Sequence, residues 1–208
     1  MIDKIIGFVM SLDENLGIII QNYGVFSYVL LFLIIFFETG IVITPFLPGD
    51  SLLFAAGAFA SKGAFNIWLL SFLLIFAAII GDNVNYHIGK FLGKKALKLR
   101  FIRKKHLEKT EKFYEKYGNK TIVLARFVPI VRTIAPFVAG VGRMNYRKFL
   151  MYNIIGGVIW VFLFLFSGYY FGNIPFVKRN FELVILAIII ISIIPVIKEF
   201  IKTKKAKS

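Results

Sequence analysis

At 208 residues the chain is the size of one domain, but 58% of it is apolar and its mean hydropathy is +0.77, which excludes a soluble domain and marks an integral membrane protein. It has no cysteine, and its two histidines, His87 and His106, do not stand at metal-ligand spacing, so disulfides, thiolate chemistry, a metal and a cofactor are all unexpected. The net charge of +15 is unevenly spread: Lys and Arg are absent between Lys4 and Lys62, crowd from Lys90 to Lys120, and close the chain at Lys198, Lys202, Lys204, Lys205 and Lys207. The positive-inside rule then places both basic stretches in the cytoplasm, where they serve topology and anionic lipid rather than nucleic acid.

Residues 1–20 place Ile2, Ile5, Ile6, Val9, Leu12 and Leu16 at helical spacing among acids, the pattern of an interfacial amphipathic helix. No cleavable signal peptide is expected there, because a basic start followed by a small-residue cleavage site is lacking. A span follows over 23–44, with Glu38 near its end. Pro45, Pro48 and Gly49 then break the chain, and the short apolar stretch 45–63 reads as a re-entrant hairpin. Non-helical backbone at membrane depth survives only where protein or water satisfies its amides. Residues 66–91 form a second span carrying Asp82, Asn83 and Tyr86. Residues 94–118 form a basic cytoplasmic helix stopped by Gly118, with Glu108 and Lys112 at a favourable four-residue spacing. A second broken hairpin is expected over 119–142, interrupted by Pro129 and Pro136 and closed by Ala139-Gly140. Spans at 146–171 and 182–201 complete an all-α membrane protein.

The two halves show an internal repeat. Pro45 matches Pro129, Ala56-Gly57 matches Ala139-Gly140, Tyr86 matches Tyr169 and Gly89 matches Gly172, at offsets of 83 or 84 residues. If the basic loop is cytoplasmic, the two hairpins enter from opposite sides and the repeats are inverted, an arrangement that points to a transporter site at the midplane.

Charges inside these segments are the functional candidates, because each costs about 2.5–3.5 kcal/mol at the centre of a membrane helix. Glu38 and Asp50 flank the first broken segment, and Arg126 and Arg132 flank the second. The two sets can meet if the hairpins face each other. As a pure lock, the ion pairs hold the hairpins in register. As a working site, the arginines clamp a lipid phosphate bidentately while Glu38 and Asp50 couple movement to protons or sodium. Asp82, Asn83 and Tyr86 would then line a cavity or bond neighbouring helices. Asn153, Gly156, Gly157 and Trp160 read as a small-residue packing face. No enzyme is indicated, since neither histidine has a serine partner and a lipid phosphatase would require histidines in the second half.

Glu38, the run Pro45-Phe46-Leu47-Pro48-Gly49-Asp50, Gly81-Asp82, Arg126-Phe127-Val128-Pro129, Arg132-Thr133 and Ala139-Gly140 together resemble the DedA family, also called SNARE-associated or VTT-domain proteins. The resemblance covers roughly residues 25–175 and departs at Ile130-Val131, where the family commonly writes Pro-Gly. It implies a bacterial cell-membrane protein with two opposed re-entrant hairpins that depends on the proton motive force. It also implies lipid flipping, of undecaprenyl phosphate or a glycerophospholipid such as phosphatidylethanolamine, with Glu38, Asp50, Arg126 and Arg132 as the functional charges. The sequence leaves open a cation antiporter, a non-transporting scaffold, and whether the chain forms a homo-oligomer.

The absence of native cysteine makes the topology directly measurable. A single cysteine at Lys112 is expected to react with an impermeant maleimide in inverted vesicles and not in intact cells. The opposite labelling pattern would reverse the orientation.

Overall fold

The computed structural model describes residues 24–40, 49–92, 104–180 and 184, and all regular secondary structure among them is helical. The expected interfacial helix 1–20, Pro45 and Pro48, the start of the basic helix and most of the last span (182–201) lie outside these residues.

Helix α1 is Gly24–Gly40, an apolar run uncharged until Glu38. Helix α2, Gly49–Ser61, opens with Asp50 in its first turn, where a carboxylate complements the helix dipole. Helix α3, Ile67–Leu92, is started by Asn66, whose Oδ1 accepts the backbone N–H groups of Trp68 (3.0 Å) and Leu69 (3.1 Å). Helix α4 is Lys104–Tyr117 and stops at Gly118, whose φ of +55° leads into a 3₁₀ turn over Gly118–Lys120. Helix α5, Thr121–Ala125, breaks at residues 126–128, and helix α6, Pro129–Val141, restarts with proline at its first position. Helix α7, Tyr146–Gly172, begins at Asn145, which caps the N–H groups of Arg147 and Lys148. A short helix α8, Pro175–Arg179, follows it.

α3 and α7 are long and apolar enough to cross a membrane. Trp68, Phe72 and Phe76 on α3 and Ile155, Ile159 and Leu163 on α7 are exposed, as side chains in contact with lipid would be. Pro136 was expected to interrupt the second hairpin, but α6 runs straight through it. The break falls at residues 126–128 instead, because Pro129 cannot extend α5 by donating an N–H and is pre-set to begin a new helix.

The chain divides into two compact units, one of residues 1–29, 48–70 and 164–208, the other of 30–47 and 71–163. In the first unit, α2 packs on the end of α7 through glycine. A Cβ on Gly57 would strike the carbonyl of Leu165 and lie 2.9 Å from the Tyr169 nitrogen, while one on Gly172 would lie 3.0 Å from the Ala58 Cα. In the second unit, α6 packs on the end of α3 by the same device. A Cβ on Gly140 would strike the carbonyl of Tyr86 and lie 2.7 Å from the Lys90 nitrogen, and one on Gly89 would meet the backbone of Phe137. The matched glycines Gly57/Gly140 and Gly89/Gly172 thus do matched packing work within their own units.

Each Gly→Ala change at Gly57 or Gly140 is therefore expected to cost roughly 1–3 kcal/mol, the range for overpacking a close contact, read as a lower unfolding temperature in detergent. Gly24→Ala, where a Cβ meets nothing within 4 Å, is expected to leave that temperature unchanged.

Candidate functional site

The second unit holds the four charges Glu38, Asp82, Arg126 and Arg132, and the fold pairs them off. Arg132, in the second turn of α6, is ion-paired with Glu38 near the end of α1. Arg126, at the break after α5, donates from Nη2 to Asp82 Oδ2 at 2.5 Å and to Asn153 Oδ1 at 2.6 Å. Asn153 in turn donates to the carbonyl of Ile79 at 3.0 Å, tying α7 to α3 beside the pair. Glu38, Asp82 and Arg126 are all buried. Two acids and two bases make the group formally neutral, which is how an apolar interior tolerates it.

Two side chains and two glycines shape this group. Trp160, 1% exposed, lies with its ring centroid 5.3 Å from the Arg132 Cζ and 5.8 Å from the Arg126 Cζ, within reach of a cation–π attraction to both. Gly156 and Gly157 leave the space that Arg126 occupies, since a Cβ on Gly156 would lie 3.1 Å from Arg126 Cδ. Asn85, fully buried, donates from Nδ2 to the carbonyls of Thr39 (3.1 Å) and Thr133 (2.8 Å). Arg126 Nε and the Oδ1 atoms of Asn83 and Asn85 are buried without a hydrogen-bond partner among the described residues. Such orphans are costly, about 1–3 kcal/mol each, and are concentrated at this one site.

The pairing differs from the sequence expectation in one respect. The acid that meets Arg126 is Asp82, not a hairpin acid, because Asp82 sits on α3 opposite the α5–α6 break. Asp50 lies partly buried in the first turn of α2 and belongs to the other unit. Asn83 donates to the Ile79 carbonyl of its own helix, and Tyr86 donates to the Met144 carbonyl at 2.5 Å while stacking on Phe149. Gly49 opens α2, Pro129 opens α6, Pro136 lies within α6 and Gly140 forms the α6–α3 contact. His87 is exposed, with Nδ1 against the Asn83 carbonyl. No cluster of three or more potential metal ligands occurs among the described residues.

Sequence reasoning treated Asn153, Gly156, Gly157 and Trp160 as packing alone. Their three- and four-residue spacing places an amide and an indole on the same face of the helix as two glycines, and no local pattern says what that face receives.

Helix α4 is fastened to α6. The Tyr114 hydroxyl donates to the Ala135 carbonyl at 2.9 Å, and Phe113 and Tyr114 pack on Ala125, Val131 and Ala135. Burial, with the charge of Asp82 behind it, pushes the Tyr114 phenol above its ordinary value, so it stays protonated and remains a donor.

The helical architecture offers two helices long and apolar enough to cross a membrane, and comparison with known proteins identifies the class. Residues 47–170 match the VTT domain. The chain is 52% identical over 207 residues to Protein DedA of Escherichia coli strain K12, covering 97% of this chain and 94% of that one. It is 42% identical over 165 residues to an uncharacterized membrane protein of Mycobacterium leprae, covering 78% and 74%. It is 33% identical over 162 residues to the inner membrane protein YqjA of Escherichia coli K12, covering 75% and 73%. No solved structure matches it significantly. The chain belongs to the VTT-domain, or DedA, family of membrane proteins.

Removing one member of a buried pair leaves a buried charge uncompensated. Asp82→Asn is expected to destabilise the protein by about 3–5 kcal/mol, measured by thermal unfolding in detergent. Combining it with Arg126→Gln is expected to restore part of that loss, since the stranded charge is gone.

Proposed function

We propose that this protein moves a phosphate-bearing lipid, undecaprenyl phosphate or a glycerophospholipid such as phosphatidylethanolamine, across the cell membrane, coupled to the proton motive force. The observation that carries the reading is the neutral group of four charges held within one unit of a membrane protein, with Glu38 and Arg132 paired. The working cycle is an exchange: lipid phosphate displaces Glu38 from Arg132, and the released carboxylate takes up a proton, or a sodium ion in its place. A bidentate guanidinium–phosphate contact is a fitting replacement for the guanidinium–carboxylate one.

The two arginines divide the work. Arg126 is held by Asp82 and Asn153 and keeps α3, α7 and the α5–α6 break together. Its buried Nε supplies a further donor towards the phosphate. Arg132, the more exposed of the two, makes the exchange. Trp160 stays beneath both guanidiniums while the anion changes. Asp50 takes the coupling role that the family resemblance implies, from the first turn of α2. Asn83 and Tyr86 border the path.

The matched glycine contacts of the two units support a build from two inverted repeats, with the segments around α2 and around α5–α6 as re-entrant hairpins. The cycle breaks no covalent bond, so the reading is of a transporter and not an enzyme. The basic loop at 94–118 and the C-terminal tail face the cytoplasm in this scheme.

Proteoliposomes carrying labelled undecaprenyl phosphate or labelled phosphatidylethanolamine test it. Native protein is expected to move one of them faster under a pH gradient, and Arg132→Ala or Glu38→Gln to slow that movement about tenfold or more, the effect of losing some 1.4 kcal/mol of a required interaction. Movement of neither lipid by folded protein, or lipid-independent cation exchange, would overturn the reading.

A further inference from the structure

Asn85 carries no charge and touches none of the four charged groups in the hydrogen bonds described above, yet it is fully buried within their unit. Both of its Nδ2 bonds go to backbone carbonyls, and the positions of those carbonyls are informative. One belongs to Thr39, the residue after Glu38, and the other to Thr133, the residue after Arg132. A single amide thus grips the chain immediately beyond each member of the Glu38–Arg132 pair.

The local structure explains why the grip falls there. Thr39 follows Glu38 directly on α1, so holding its carbonyl holds the backbone that carries the carboxylate. On α3, Gly81 stands four residues before Asn85 and Gly89 four residues after, so all three share one face. A Cβ on Gly81 would strike the Thr39 hydroxyl, and one on Gly89 would meet the backbone of Phe137, so α1 and α6 both approach α3 closely on either side of Asn85. The two carbonyl acceptors also settle the amide's orientation. Its Oδ1 points to a buried place without a hydrogen-bond partner among the described residues. A leucine would fill the same volume without that orphaned oxygen, so packing alone does not account for an asparagine.

We propose that Asn85 is a positioning residue for the Glu38–Arg132 pair, acting through the Thr39 and Thr133 carbonyls to set the approach of α1 to α6 at that point. It contributes no charge and binds no substrate. What it sets is the register in which the carboxylate and the guanidinium meet. Its importance to transport rests on the function proposed above, whereas its action on the pair does not.

A double-variant cycle separates the two. Unfolding temperatures in detergent are compared for Asn85→Leu, Arg132→Gln and their combination, with Tyr28→Phe as a control, since the Tyr28 hydroxyl accepts the backbone N–H of Asn66 in the other unit. Arg132→Gln is expected to lower the unfolding temperature of the native protein, and to lower it by less than about half as much once Asn85→Leu is present, as for coupled positions. Tyr28→Phe is expected to be additive with Asn85→Leu. Additivity of Arg132→Gln with Asn85→Leu would overturn the proposal. If Asn85→Leu yields no folded protein, Asn85→Ser, which keeps one donor, takes its place.

In proteoliposomes, gradient-driven movement of labelled undecaprenyl phosphate or phosphatidylethanolamine per folded molecule is expected to fall about tenfold in Asn85→Leu, with no further fall when Arg132→Gln is added. An unchanged rate per folded molecule would leave Asn85 a purely structural residue and overturn the proposal. If the native protein moves neither lipid, the transport reading fails while the unfolding cycle still decides the role of Asn85.

Discussion

A carboxylate or a guanidinium in an apolar interior must be met by its opposite, and most of the second unit is organised to bring that about. Glu38, Asp82, Arg126 and Arg132 come from α1, α3, the α5–α6 break and α6. None of these elements could carry its charge alone at membrane depth, because an isolated buried ion costs several kcal/mol even after relaxation. Brought together, the four sum to zero. Trp160 lies against both guanidiniums, and Asn153 takes the second hydrogen bond of Arg126.

That meeting depends on close backbone contact, which explains the positions of the glycines. Charged side chains of limited reach pair only if their helices touch, and helices touch where side chains are absent. Gly81 admits α1 to α3, Gly89 and Gly140 admit α6 to α3, and Gly156 and Gly157 admit Arg126 against α7. Van der Waals contact and charge pairing are thus one arrangement and not two. The first unit repeats the glycine geometry through Gly57 and Gly172 on α2 and α7.

The two arginines differ in ways their common chemistry conceals. Arg126 has two side-chain acceptors and sits at a break in the helix, where loss of its partners would release several elements together. Arg132 meets a carboxylate at the end of α1 and is less deeply enclosed.

Much of this was legible in the linear sequence. The membrane class followed from apolar content, the spans α3 and α7 from the length of their apolar runs, and the charged candidates from the penalty that lipid places on them. The family emerged from the motifs around Glu38, Arg126 and Arg132. These are determined by composition and order along the chain, because solvation in lipid acts on each residue nearly independently of its neighbours. Which acid meets which base was decided only by the tertiary structure. Asp82 takes Arg126, Glu38 takes Arg132, and residues read as mere packing, Asn153 and Trp160, become partners of the arginines. Proline, too, misled when read alone: α6 passes through Pro136 and the break falls before Pro129. Pairing depends on how far each helix is rotated and how closely two backbones approach, quantities set by contacts between residues as much as 94 positions apart, which no local pattern encodes.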